Sequence, residues 1–180
     1  GVRFQIAGTH LQAGDDEARD QEFAEIRDGI IAKHRRPGEP QILVGDMNVA
    51  TTEPSYRLLL DATEMTDGPL DDPDPFTVDG KNSWNSPGKR GKHIDHVLFN
   101  PRGTASRIVR QTVQRARREH DGKTVDYADH YGVIAEILVP EGTNDVAVNT
   151  PIAVILADGE DASSLKASKP SWKPSVDPAT

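Results

Sequence analysis

Four short segments carry the residues best suited to chemistry: Thr9-His10, Asp46-Met47-Asn48, Asp95-His96 and Asp129-His130. Each adjoins an apolar stretch, so each places polar groups where a buried strand reaches the surface. Oxygen ligands from Asp and Asn favour a hard cation such as Mg²⁺, which keeps several waters and binds substrate phosphate. A histidine with an aspartate partner can activate water or protonate a leaving oxygen. Taken singly, each segment also has an ordinary explanation. Asp-x-Asn after a strand is a common Asx-turn, an Asp-His pair is often a surface hydrogen bond, and His10 alone can be a satisfied polar residue. Four such ends in order, each backed by apolar residues, favour a shared site.

The elements that must position these groups follow from periodicity. "VRFQIAGTHL" alternates Val2, Phe4 and Ile6 and predicts a strand. "GDDEARDQEFAEIRDGIIAKHRR" predicts a helix capped by Asp15 or Asp16, with Phe23, Ile26 and Ile30 along one face. Pro37-Gly38 ends it, and "PQILVGD" is the next strand. A shorter helix starts near Pro54 and carries Tyr56, Leu58, Leu59 and Leu60. Residues 66 to 92, rich in Asp, Pro and Gly, predict a long surface loop of the kind that is often functional. "HIDHVLFN", "SRIVRQTVQR" and "YGVIAEILV" predict three further strands. Strand–helix–strand order followed by successive strands predicts an α/β layered domain with a mixed sheet.

With 180 residues the chain can build one domain with a sizeable core, or a domain plus a small appendage. Its hydrophobic content of 35% and charged content of 28% fit a soluble globular protein, and no apolar run is long enough to span a membrane. The formal net charge of -8 disfavours a protein that coats nucleic acid, since phosphate binding relies on Lys and Arg. It is compatible with an enzyme that handles phosphates through a cation. The absence of cysteine excludes disulfides, thiolate chemistry and Cys-ligated metals. The chain opens at Gly1 in a strand-like segment with no signal peptide, which predicts a piece of a longer protein.

"THLQAG", "VGDMNV", "SWNSPGKRGKHIDHVLF" and "DHYGVIAEI", in this order, resemble the second half of an endonuclease/exonuclease/phosphatase domain of DNase I-like type. The "THLQA" and "DHYGV" forms are most similar to the sphingomyelinase-like branch. The resemblance covers residues 2–138 and implies half of a two-sheet α/β sandwich. It implies catalytic roles for His10, Asp46, Asn48, Asp95 and His130. His10 would donate to the scissile phosphate or its leaving oxygen. Asp46 and Asn48 would bind the phosphate and position water or metal, and Asp95 would orient His130 as a base. Asp129 and Asp46 would contact the metal, Mg²⁺ or Mn²⁺. Catalysis would be in-line attack of water on a phosphodiester, the partner being nucleic acid or a phospholipid head group. The family's first half normally supplies an Asn near its first strand and a Glu that ligates the metal, and neither has a counterpart here. The alternative is therefore a catalytically inactive remnant that binds a phosphate-bearing ligand or a partner. An uncovered sheet face would also favour aggregation.

The C-terminal part has another character. "ILVPEGT", "VNTPIAVIL" and "GEDAS" resemble the closing half of a lipoyl domain over residues 132–162, sharing the strand from Gly132 to Leu138. Residues 139–162 form a partial lipoyl-like segment, and residues 163–180 read as a Pro/Ser/Lys-rich tail. The lipoyl hairpin lysine lies upstream in that family, whereas Lys166, Lys169 and Lys173 sit in the tail, so lipoate is not expected. A fusion, an assembly error or a chimera each produces this pattern.

Two features remain. The run 102–118 holds Arg102, Arg107, Arg110, Arg115, Arg117 and Arg118 without an acid. It either steers an anionic substrate or keeps an exposed edge soluble, and the second is favoured. Trp84, in the long loop, either stacks on a substrate or covers the core.

Overall fold

A computed structural model describes residues 3–139 of the chain. Apart from Val139, the lipoyl-like segment and the tail lie outside the described residues. Central strands β2 (Gln41–Asp46) and β4 (Asp95–Asn100) are buried along almost their whole length, as their unbroken apolar runs require. With β1 (Gln5–His10) and the two-residue β3 (Thr66–Asp67) they form a mixed sheet of order β1-β2-β4-β3. β1 and β2 are parallel, which demands a crossover, and helix α1 (Asp16–Ile26) supplies it. β4 runs antiparallel to β2.

The two faces of this sheet bury different partners because successive side chains point to opposite sides. Leu43 and Leu98 face the helices and pack with Phe23, Ile26, Ile31 and Leu59, the last from α2 (Pro54–Thr63). Ile42, Val44, Val97 and Phe99 face a second, two-stranded sheet of β5 (Arg107–Gln114) and β8 (Gly132–Leu138). Ile108, Val133, Ala135 and Ile137 complete that layer. The result is the expected α/β arrangement, a partial two-sheet sandwich with helices on one side. Ile6 lies beside Ile42 in register yet is 47% exposed, and Ile134 on the outer face of β8 is 52% exposed. Parts of both sheets are thus uncovered, as the half-sandwich reading requires.

Two expectations need correction, and one further hairpin is added. Asp15 caps α1, accepting from the Ala18 amide at 3.0 Å. Beyond Ile26, however, the helix widens into a π-helical stretch, Arg27–Ala32. The wider turn carries Ile31 rather than Ile30 into the core, while Ile30 packs at its edge. Residues 66–92 are not simply a surface loop: Thr77, Val78, Asp79 and Asn82 are buried, and Val78 packs with Ala50 and Ile94. A hairpin of β6 (Arg117–His120) and β7 (Lys123–Asp126) occupies a stretch whose charges gave no strand signal.

Most arginines of the basic run meet local partners. Arg102 donates to Gln41 Oε1 at 2.6 Å and pairs with Glu64 at 3.0 Å. Arg110 meets Asp71 at 3.0 Å, Arg117 meets Asp126 at 3.0 Å, and Arg118 lies over the Tyr127 ring.

Behind β4, His93 is buried and its Nδ1 lies 2.7 Å from the Pro75 carbonyl oxygen. Burial, reinforced by the neighbouring His96, pushes its pKa below the ordinary histidine value. Below about pH 6.5 the unfolded chain takes up a proton that folded His93 resists, so stability falls with pH there and is fully present above it. The pH dependence of chemical denaturation between about pH 5 and 7 should therefore be shallower in His93→Gln than in the wild type.

Candidate active site

Strand register brings three of the sequence-selected groups to one sheet end. His10 pairs with Asp46 across β1 and β2, and Asp46 pairs with Asp95 across β2 and β4. His130 arrives from the other sheet, on the loop before β8. Its Nδ1 lies 3.0 Å from Asp95 Oδ2 and 3.2 Å from Oδ1. Asp46 Oδ2 lies 3.7 Å from the same nitrogen and 3.5 Å from His10 Nε2.

Asp46 divides its two oxygens between structure and site. Oδ1 accepts from the Asn48 amide at 2.8 Å, the Asx-turn that Asp-x-Asn can form. Oδ2 remains toward the two histidines. Asn48 sits at φ 49° and donates Nδ2 to the Leu11 carbonyl at 2.8 Å, which commits one of its two amide hydrogens and leaves the other. Arg19 fixes the same turn. Its buried guanidinium donates to the Asn48 carbonyl at 2.8 Å and pairs with Asp16 at 2.9 Å. The sequence did not single out Arg19, although its spacing to Phe23 and Ile26 places it on the core face of α1.

The electrostatics follow from burial and proximity. Loss of solvent raises the Asp46 pKa, and the Asp95 charge adds to this against the Asn48 hydrogen bond. The hydrogen bond to Asp95 holds His130 above the ordinary histidine range against the opposing effect of burial. Donor atoms of Asp46, Asp95 and His130 all lie within 4.8 Å of one another. Two partly desolvated carboxylates this close are a suitable donor set for a divalent cation, whose charge would relieve their repulsion. Asp129, which the sequence reading placed among the metal ligands, is exposed and lies outside this group. Its backbone carbonyl accepts from Asn85 Nδ2 at 2.8 Å.

Residues of the long loop hold the His130 segment. Asn82 Nδ2 donates to the Ala128 carbonyl at 2.9 Å, and Ser83 and Asp126 exchange two hydrogen bonds of 2.8 and 2.7 Å. Trp84 Nε1 donates to the Asp126 carbonyl at 2.6 Å while its side chain remains about half exposed. Trp84 therefore does not cover the core; it stands on the loop that braces the His130 segment. His96, the histidine next to Asp95, is fully buried, with Nε2 2.9 Å from the Val49 carbonyl oxygen.

A sheet pair of this form, with Asp and His residues gathered at one edge, defines a DNase I-like fold. Residues 1–130 match the Endonuclease/Exonuclease/phosphatase family, and the chain belongs to it. Beta toxin from Staphylococcus aureus superposes with a TM-score of 0.61 at 21% identity, covering 73% of this chain and 52% of that one. Sphingomyelinase C from Streptomyces griseocarneus gives 0.56 at 25% identity, covering 72% and 51%. The chain thus spans about half the length of these structural relatives. A separate similarity, 35% identity over 111 residues, is to the dihydrolipoyllysine-residue acetyltransferase component of the mitochondrial pyruvate dehydrogenase complex of Dictyostelium discoideum. It covers 54% of this chain and 17% of that protein.

Proposed function

We propose that this domain hydrolyses phosphodiesters by in-line attack of water, with a divalent cation bound beside Asp46. The observation that carries the reading is the contact of His130 Nδ1 with Asp95 at 3.0 Å, beside Asp46 at one sheet edge. Because Nδ1 faces Asp95, Nε2 is the atom left to take a proton from water. His10, whose imidazole is largely exposed, would donate to the phosphate or to the leaving oxygen. Asn48 would offer its second amide hydrogen to a phosphoryl oxygen, and Trp84 would contact the rest of the substrate.

The residues present fit Mg²⁺ or Mn²⁺. Asp46 would offer a carboxylate oxygen within 4.8 Å of donor atoms of Asp95 and His130, and Asp129 stays outside this set. When bound, the cation offsets charge on the phosphoryl oxygens. A magnesium-bound form of the S. aureus beta toxin supports this choice of ion. The likeness to sphingomyelinase C favours a phospholipid head group over nucleic acid, in line with the net charge of -8.

Sphingomyelin vesicles, plasmid DNA and bis(4-nitrophenyl) phosphate assayed side by side with Mg²⁺ test the reading. Phosphorylcholine release exceeding DNA nicking is expected. DNA nicking without lipid turnover would transfer the substrate to nucleic acid, and turnover of none would refute the hydrolase.

A further inference from the structure

Asp95 and His130 belong to different sheets. Asp95 opens β4 in the central sheet, and His130 ends the loop that leads into β8 of the second sheet. Their 3.0 Å contact therefore requires the two sheets to be held in fixed register at this edge. Packing of Val97 and Phe99 against Val133 and Ala135 brings the sheets together. Apolar contacts are non-directional, however, and do not by themselves fix a hydrogen-bond distance.

Thr77, from the middle of the long loop, is fully buried between the two segments. Its hydroxyl oxygen accepts from the backbone amides of Ile94 at 3.0 Å and Asp95 at 3.2 Å. Its carbonyl oxygen accepts from the backbone amide of Tyr131 at 2.7 Å, one residue beyond His130. Its own amide donates to Lys92 at 2.9 Å, fixing the loop to the approach of β4. One residue thus bonds to the backbone on both sides of the Asp95–His130 contact. The Tyr131 hydroxyl adds a second tie to the same loop, donating to Asp79 Oδ1 at 3.1 Å.

The geometry points to Thr77 as a positioning residue that clasps the two sheets so that Asp95 can orient His130. Thr77 touches neither substrate nor the reacting atoms; it acts through the backbones of Asp95 and Tyr131. The kinetic consequence rests on the phosphodiesterase reading, whereas the structural consequence does not. Valine preserves the shape but removes the acceptor, leaving two buried amides without their partner. Serine restores the acceptor.

The test compares wild type, Thr77→Val and Thr77→Ser by two readouts, with thermal melting to confirm folding. The first is the downfield imidazole proton resonance of His130 bonded to Asp95, assigned in the metal-free protein by its absence from His130→Ala. The second is kcat and KM on bis(4-nitrophenyl) phosphate with Mg²⁺. Thr77→Val is expected to lose the resonance and to lower kcat by about 10²-fold at little-changed KM, while Thr77→Ser retains both. A folded Thr77→Val protein that keeps the resonance overturns the proposal, as does a wild type that lacks it. Should the wild type show the resonance but no turnover, the phosphodiesterase reading fails and the resonance alone decides the role of Thr77.

Discussion

His130→Ala is expected to reduce phosphodiester turnover by about 10²–10⁴-fold, the range of a lost general acid or base. The size of the effect follows from the way the imidazole is held. Nδ1 lies against both oxygens of Asp95, so the ring has a fixed orientation and Nε2 carries the proton transfer. Neither Asp46 nor the exposed His10 occupies that position, so neither can substitute. His130 is only partly buried and its hydrogen bonds lie at the site, so the fold should survive the change. Steady-state kinetics with melting curves of both proteins check this. Equal turnover in a folded variant would remove His130 from the mechanism.

Gly45→Ala is expected to have the largest effect on stability, on the order of 3 kcal/mol, lowering the melting temperature by about 6–12 °C. Gly45 stands opposite Thr9 where β1 pairs with β2, at φ 141°. A Cβ there would lie 1.8 Å from the Thr9 carbonyl oxygen, a contact that only movement of the backbone can relieve. The pair on either side of that contact is instructive. Gly45 precedes Asp46, and Thr9 precedes His10, so pushing the strands apart also separates these side chains. Activity should fall with stability, and thermal denaturation followed by circular dichroism gives the measurement. A melting temperature within a degree or two of the wild type would show that the strands can part without cost.

The site's frame was legible because it depends on strand ends. "QILVGD" and "HIDHVLFN" read directly as buried strands, and their termini place Asp46 and Asp95 side by side. His10 and His130 follow from the strands beside them. Other features depend on contacts that no local pattern records. The π-helical stretch moves Ile31 into the core in place of Ile30, because turn width answers to packing rather than to spacing. "FTVDGKN" looks like exposed loop, yet Thr77, Asp79 and Asn82 are buried because backbone groups from distant segments satisfy them. Asp129 and Asp95 illustrate the same limit. Each stands beside a histidine in sequence, but only Asp95 meets His130 across the sheets, while Asp129 turns outward. Arg19 shares the core-facing spacing of Phe23 and Ile26, but its charge masks that signal, and its role in holding the Asn48 turn depends on a contact distant in sequence.

Hydrolysis of bis(4-nitrophenyl) phosphate by the full chain, with Mg²⁺ and then with EDTA, tests the central claim most directly. Turnover that appears with Mg²⁺, disappears with EDTA and returns when the metal is restored is the predicted result. A folded protein with no metal-dependent turnover would contradict the account, leaving a family fold whose aligned Asp46, Asp95 and His130 do not hydrolyse a phosphodiester.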